Sequence, residues 1–484
     1  MLQNRNLSLL MDFYELTMAN AYYVSGYKDT IAHYDLYFRS APDDAVFAIT
    51  SGLDSVIEYI ENLHFTEEEI EFLRSKKIFD EGFLDYLSNL KFECDIRAVR
   101  EGSVVFPNEP LITVRGPFIQ AQLLETMLLL LVNHQSMVAT KTNRIVRAAD
   151  GKAVMEFGSR RAHGADAANY GARAAYIAGA VGSANTLTDF EMAIPAFGTM
   201  AHSWIQSFDN EYEAFKIYAQ TYPDDTVLLV DTYNTLKTGV PNAIKVFDDV
   251  LKPLGKRPKG IRLDSGDLAF LSKQARKMLD EAGYEDCKIV ASSSLDEFKI
   301  QDIRLQGGQI DSYGVGERLI TSKSNPVFGG VYKLIAIERD GKVIPRIKVS
   351  ENISKITTPG VKQVYRIYDK NTDKAKADLI TLVDEEIDES QPLTIFHPLY
   401  TWKTKTFNEF YIKPLLVPIY ENGKLVYDRP NIEEIREYCK NDVDTLWDEY
   451  KRFDHPQLYK VDLSKQLWEL KNTLLNEVNR DFRK

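Results

Sequence analysis

Seven short apolar runs follow one another after Gly151: KAVMEFGSRR, GAVGSANT, AFGTMAHSW, TVLLVDTYN, KGIRLDSGD, CKIVASSSLD and QIDSYGVGER. Helical stretches alternate with them, and that alternation is the signature of repeated βα units around a mostly parallel sheet. The helices have legible ends: Ser294 with Glu297 has the spacing of a capping box, Gly283 and Gly307 follow helical stretches, and GVPNAIKVFDDVLKPLG is bounded by proline and glycine. The expected fold class is α/β, an irregular βα barrel or near-barrel spanning residues 136–330.

The rest of the chain must be other domains, because 484 residues exceed what one hydrophobic core organises. Asp12 to Tyr23 has the spacing of an amphipathic helix packing an aromatic stripe, with Tyr14 as a possible exception. From Thr30 to Thr50 the pattern has period two and carries Arg39 at a strand end. Thr66 and Glu69 form a capping-box pair. Residues 92–115 alternate between Gly102, Pro107 and Pro110 as a small antiparallel element. A long helical region then runs from Gly116 to Asp150, and its cations Lys141, Arg144 and Arg147 recur on one face, read as solvated or, in a second reading, as touching phosphate across a dimer.

After Gly329 alternation returns around an Asp340-Gly341 turn, and these strands are expected to rejoin the N-terminal β element. Residues 368–392, rich in Asp, Glu and Lys, read as a surface connection holding one short strand, ADLITLV. Two amphipathic helices close the chain, one capped by Asn431 with Glu434 and one from about Leu463. The division that follows is an N-terminal α+β domain (1–135, joined by about 331–367), the barrel (136–330) and a C-terminal α/β extension (368–484).

A net charge of −12 argues against a nucleic-acid or anionic-membrane surface, although a local basic pocket stays compatible with it. The longest aliphatic run, Met127 to Val132, is far short of the roughly 20 residues a membrane span needs. The N-terminus has early Asp12 and Glu15 in place of a basic start and a long apolar core, so a cytoplasmic protein is expected. Cys94, Cys287 and Cys439 lie far apart and read as buried thiols; the histidines show no helical metal-binding pair.

Each apolar run ends in residues with chemistry: Arg160; Thr199 and His202; Asp231; Arg262 and Asp264; Ser292, Ser293 and Ser294; Gly314 and Gly316. In a βα barrel that end is the active-site face, whereas a purely structural barrel would place turn formers and caps there. AFGTMAHSW ends a buried apolar run with a hydroxyl, an imidazole and a second hydroxyl; His202 reads either as the centre of a site or as a satisfied helix-start histidine. Arg262 and Asp264, two apart on a strand, share a face, so the guanidinium suits a carboxylate and Asp264 a sugar hydroxyl or a magnesium water, unless the two are an internal ion pair. The serine run and Gly314-Val315-Gly316 close consecutive late strands, where backbone N–H groups cradle phosphates in barrels.

DFYELTM, EFGSRRAHG, GTMAHSW, RLDSGDL, GVGERLITS with GGVYKL, and KVSENISK occur in an order that resembles nicotinate phosphoribosyltransferases from about residue 10 to 370, and FHPLYTWK is similar to bacterial members. The resemblance implies a homodimer with shared active sites that joins nicotinate to 5-phosphoribosyl 1-diphosphate, giving nicotinate mononucleotide and diphosphate, with Mg²⁺ as cofactor and ATP as co-substrate. It implies that Tyr14 and Phe157 sandwich the pyridine ring, that Arg160, Thr199 and Arg262 surround it, and that His202 is phosphorylated. Asp264, Ser265, Ser292, Ser293, Gly314 and Gly316 fall on the phosphoribosyl side. Glu317 departs from members that carry threonine there, and Glu156 and Asp231 are both candidates for the acid that orients His202.

The chemistry agrees: the ring nitrogen of nicotinate is its own nucleophile, so the protein need only stack, orient and stabilise the leaving diphosphate. The competing readings are a nicotinamide or quinolinate phosphoribosyltransferase, a barrel lyase, which would want a strand-end lysine that Lys141 and Lys237 do not supply, and a non-enzymatic scaffold.

Overall fold

The structure is a computed structural model that describes residues 5–481, with side chains through residue 478. It divides into two compact units, residues 138–326 and residues 1–137 with 327–484.

In the unit formed by residues 138–326, five of the seven runs make a parallel sheet in the order Ala153–Glu156, Ser312–Val315, Lys288–Ala291, Gly260–Leu263, Val227–Leu229. GAVGSANT and AFGTMAHSW, expected as strands, join only through single parallel bridges, Glu156 to Ser183 and Ser183 to Ala196. Glycine explains the thinning: a Cβ at Gly182 would collide with the Pro195 carbonyl and the Phe197 ring, so the backbones cross closely there instead of laddering. Nor is AFGTMAHSW a buried run, since Phe197 is exposed and only Met200 of its apolar residues is buried. Val154, Leu228, Ile261, Leu263, Ile289 and Val315 supply the sheet's core.

Two expectations fail here for one reason. The helix Glu297–Leu305 is capped by Asp296, which accepts from the Lys299 N–H at 2.9 Å, and not by Ser294; Ser293 and Ser294 both have positive φ, which delays the helix start. Glu297 is thereby inside the first turn and fully buried, where it receives the Lys141 ammonium (2.8 Å) and the Arg144 Nε (2.8 Å). Lys141 and Arg144 are therefore buried on the helix Glu125–Ala148 and not solvated, because an acid 156 and 153 residues downstream compensates them. Arg147, half-buried, donates to Asn143 Oδ1.

The other unit carries a seven-stranded antiparallel sheet in the order Lys342–Pro345, Gly330–Arg339, Ile31–Phe38, Ile112–Pro117, Asp95–Val99, Leu416–Glu421, Lys424–Leu425. The hairpin at Asp340-Gly341 thus pairs with an N-terminal strand, and a strand from the last seventy residues enters the same sheet. A second sheet has the order Phe410–Pro414, Lys362–Asp369, Ala375–Leu382, Val461–Leu463. Its strand Ala375–Leu382 is internal and mostly buried, so residues 368–392 are not simply a surface connection. Asp378 on that strand answers the fully buried Arg366, and this pairing is what lets acidic residues sit inside.

Both capping boxes, Thr66 with Glu69 and Asn431 with Glu434, are formed. The first helix, Phe13–Val24, packs only part of its aromatic stripe: Tyr22 and Tyr23 lie half-buried against the core that holds Leu16 and Ala19, while Glu15 is buried and Phe13, Tyr14 and Met18 are exposed. Glu15 accepts from the Asp12 N–H and the Thr126 hydroxyl, which draws the polar side inward. The three cysteines are buried thiols, and no described helix is long and apolar enough to cross a membrane.

Candidate active site

At the C-terminal ends of the parallel segments lies a cavity of about 430 Å³ lined by Arg160, Thr199, Met200, His202, Ser203, Leu229, Arg262 and Asp264, a size that suits a small molecule. Strand alternation puts the key pair there. Leu263 points into the core with no exposure, so Arg262 and Asp264 on either side of it turn to the cavity.

The Arg262 guanidinium donates from Nε to Ser292 Oγ (2.9 Å), from Nη2 to Asp264 Oδ1 (3.0 Å) and from Nη1 to the Met200 carbonyl (3.3 Å). A guanidinium has five N–H groups, so one N–H on each terminal nitrogen is left for a ligand. Its carbon stands 6.0 Å from the centre of the Phe157 ring. The buried Ser292 also donates to Asp264, which fixes the carboxylate from a second side. Burial works against the charge on Asp264, but the Ser292 hydroxyl, Arg262 and then His202 outweigh it and hold the carboxyl below its ordinary range.

His202 opens the helix His202–Gln206, with Nδ1 3.0 Å from Thr232 Oγ1 and Nε2 3.5 Å from Asp264 Oδ2. Its side chain is 39 % exposed, so the ring faces the cavity while each of its nitrogens has a protein partner. Neither acid expected to orient it does so. Glu156 is fully buried and accepts from Ser183 Oγ (2.6 Å) and the Gly158 N–H, and burial raises its pKa. Asp231 accepts from the Asp264 N–H (2.7 Å) and Ser265 Oγ (2.6 Å), which shapes the loop after the strand. The partners of His202 are Thr232, which sequence reasoning missed, and Asp264.

Two oxygens at these strand ends are shut away from solvent with no hydrogen-bond partner among the described residues, Thr199 Oγ1 and Asp231 Oδ1. Buried polar atoms are normally satisfied, so a ligand or water is the expected partner.

Phe157, half-buried, follows the strand Ala153–Glu156, and the late glycines serve it directly. A Cβ at Gly314 would run into the Phe157 ring, and one at Gly316 would lie 2.8 Å from the Phe157 carbonyl. The helix after Gly316 is four residues long. Arg160 and Ser265 are exposed at the rim; Ser293 is half-buried, and its carbonyl accepts from Lys299. Glu317 is half-buried as a residue and receives Lys323 at 2.6 Å, which holds its carboxyl low. Tyr14 belongs to the other unit, where burial and Glu125 raise its pKa.

Sequence comparison agrees with this geometry along the whole chain. Residues 9–133 match the nicotinate phosphoribosyltransferase N-terminal domain, 152–368 the nicotinate phosphoribosyltransferase family, and 361–471 the C-terminal domain. The chain is 45 % identical to a Bacillus subtilis nicotinate phosphoribosyltransferase, covering 98 % of this chain and 96 % of that one, and 30 % identical to the human protein over 96 % of each. The crystal structure of human nicotinic acid phosphoribosyltransferase superposes with a TM-score of 0.85 at 28 % identity, covering 96 % of this chain and 99 % of that one. A Pyrococcus furiosus nicotinate-nucleotide pyrophosphorylase, at 23 % identity and a TM-score of 0.69, shares the fold over 91 % of this chain and 96 % of that one. With its strand-end motifs gathered on one cavity and matches running from residue 9 to residue 471, the chain belongs to the nicotinate phosphoribosyltransferase family.

Proposed function

We propose that this chain is a nicotinate phosphoribosyltransferase, forming nicotinate mononucleotide and diphosphate from nicotinate and 5-phosphoribosyl 1-diphosphate in NAD biosynthesis. The observation that carries the reading is Arg262, whose two remaining N–H groups stand beside the Phe157 ring in the cavity. A planar fork next to an aromatic face suits a ring bearing a carboxylate, and it favours nicotinate over nicotinamide. Thr199, whose hydroxyl has no hydrogen-bond partner among the described residues, and Arg160 complete the ring's surroundings.

The reaction then needs little covalent help from the protein. The pyridine nitrogen attacks the anomeric carbon as the bond to diphosphate breaks, so positive charge grows on the sugar and negative charge on the leaving group. Asp264, held ionised by Arg262 and Ser292, faces the first of these charges, and it would also hold a ribose hydroxyl. Ser265, Ser292, Ser293, Gly314 and Gly316 are assigned to the phosphoribosyl side. The unpartnered Asp231 Oδ1 and the Asp264 carboxylate are hard oxygen donors of the kind that hold Mg²⁺ through one or two carboxylates, the substrate's phosphates supplying more. These two residues would hold the ion, which would supply neutralisation of the charge on the diphosphate.

His202 is the proposed acceptor of a phosphoryl group from ATP, the P–O bond to ADP breaking as a P–N bond to the ring forms; water then releases orthophosphate. Its place in the cavity wall and its contact with Asp264 support this, because a phosphoryl group there would change the charge facing the donor substrate. The parallel segments are proposed to close as an irregular barrel through side chains at their ends, His202 to Thr232 and Arg262 to the Met200 carbonyl. A cytoplasmic homodimer with shared active sites fits the exposed Tyr14, which would complete the ring sandwich from a second copy, and Phe190 and Phe197 in the segment leading to Thr199. The test is exchange of labelled nicotinate into nicotinate mononucleotide with diphosphate present; exchange of nicotinamide or quinolinate in its place would reject the reading.

A further inference from the structure

Glu156 is left without a role once His202 is seen to have other partners, although it stands one residue before Phe157 at the end of the strand Ala153–Glu156. Its side chain is fully buried, and among the described residues no cation pairs with it. A buried carboxylate without a cation is expensive, so this position must need the two acceptor oxygens that a carboxylate offers.

The two oxygens bind separate segments. Oε1 accepts from the Gly158 N–H, at the start of the turn Ser159–Arg161 that carries Arg160, and Oε2 accepts from Ser183 Oγ at 2.6 Å. That turn is shaped to receive the carboxylate: a Cβ at Gly158 would lie 2.7 Å from Oε1 and 2.6 Å from the Ile320 side chain. The Ser183 hydroxyl also accepts from the Asn185 N–H (3.0 Å), while its backbone donates to the Pro195 carbonyl (3.0 Å) and accepts from the Phe197 N–H (2.7 Å). Glu156 therefore ties the Phe157 turn to the segments through Ser183 and Ala196, which meet the sheet by single bridges only. Thr199 follows on the second of these segments.

We propose that Glu156 is a positioning residue of the nicotinate site: its carboxylate stands in for the missing strand ladder and fixes Phe157 and Arg160 relative to Thr199. The inference rests on the assignment of those three residues to the pyridine ring. Glu156 is not in the cavity wall and its side chain has no exposure, so it acts through the residues it holds. A misplacement of about 1 Å can cost roughly a hundredfold where orientation matters, so loss of this anchor should be visible at nicotinate.

Two measurements test it, one of them independent of the substrate. In hydrogen exchange of the ligand-free protein read by mass spectrometry, Glu156→Ala should speed exchange in peptides containing Gly158 and Asn185 and leave the strand Lys288–Ala291 unchanged. In steady-state assays it should raise the Michaelis constant for nicotinate by about tenfold to a hundredfold and leave that for the phosphoribosyl donor nearly unchanged. Glu156→Gln keeps an oxygen for the Gly158 N–H and an amide that can donate to the Ser183 oxygen, so it should recover most of both losses. Ser183→Ala removes one donor and leaves the carboxylate; it should shift nicotinate in the same direction by less, and it decides the matter if Glu156→Ala does not fold. Unchanged exchange at Gly158 in Glu156→Ala, Glu156→Gln no better than Glu156→Ala, equal rises in both Michaelis constants, or wild-type nicotinate affinity in Ser183→Ala overturns the proposal. A wild type that does not use nicotinate rejects the substrate assignment, and exchange at Gly158 then decides the positioning role alone.

Discussion

The molecule builds the same motif twice and uses it differently. In the unit with both termini, Arg366 lies near the Phe106 ring (5.3 Å) and binds Asp378, Asp442 and the Val104 carbonyl, while Tyr459 donates to Asp378 at 2.8 Å. In the other unit, Arg262 lies near the Phe157 ring and binds Asp264, Ser292 and the Met200 carbonyl, with His202 beside Asp264. Arg366 has no exposure, with all its nitrogens committed to acceptors around it; the Arg262 side chain is 17 % exposed and keeps N–H groups in hand. Sealed, the arginine–aspartate motif is a clamp between segments distant in sequence. Opened on one side, it becomes a reader of ligands, and the group next to it changes from a phenol to an imidazole.

The largest effect expected is at the imidazole. His202→Ala should abolish ATP hydrolysis, including any stimulated by nicotinate, and leave slow synthesis that ATP no longer accelerates, because substrate and donor already contain nucleophile and leaving group. With γ-labelled ATP, acid-labile and base-stable label should appear on the wild type only; label on the mutant would remove His202 as acceptor.

At the sealed site the loss is of stability instead. Arg366→Met leaves two buried carboxylates unpaired and should cost about 3–5 kcal/mol in denaturant unfolding. Arg262→Met, at a half-open site, should cost much less, and equal costs would erase the distinction between the two arginines.

How much of this was legible in the sequence differs between the two sites in the same way. The open site is assembled from strand ends, so Arg262, Asp264, His202 and Thr199 each sit in a contiguous run that announces its own end. The sealed site joins Arg366 and its cross-strand neighbour Asp378 to Asp442 and Val104, and no local pattern records those last two contacts, across 76 and 262 residues. Lys141 and Arg144 were misjudged for that reason: helical spacing shows that they share a face, and only the distant Glu297 decides that the face is inside. Thr232 was missed because a hydroxyl one residue past Asp231 looks like any turn former. The glycines were recognised as close approaches, but what approaches them is Phe157.

That last point gives a finer test. Phe157→Leu should raise the Michaelis constant for nicotinate by roughly tenfold, about 1.4 kcal/mol, and leave that for the phosphoribosyl donor nearly unchanged. Gly314→Ala should reproduce the effect without touching the ring chemically, since its methyl displaces the ring. A change in the donor constant alone would place Phe157 elsewhere.

The smallest effect lies beside Arg366. Burial and then Asp378 hold the Glu109 carboxyl protonated well above its ordinary range. Its folded-state pKa exceeds the unfolded one, so the stability it contributes is fully present below the unfolded value and is lost as pH rises toward the folded value. Glu109→Gln should therefore unfold with a flatter pH dependence above the ordinary carboxylate range and gain on the wild type as pH rises; parallel curves would mean that Glu109 titrates normally.

The open arginine is tested most directly by calorimetric binding of nicotinate and nicotinamide to the wild type and to Arg262→Lys. Lysine keeps the charge and loses the fork, so nicotinate should weaken by about 1.5–3 kcal/mol, the worth of a charged hydrogen bond, while nicotinamide changes little. Equal losses for the two ligands would show that Arg262 does not read the carboxylate.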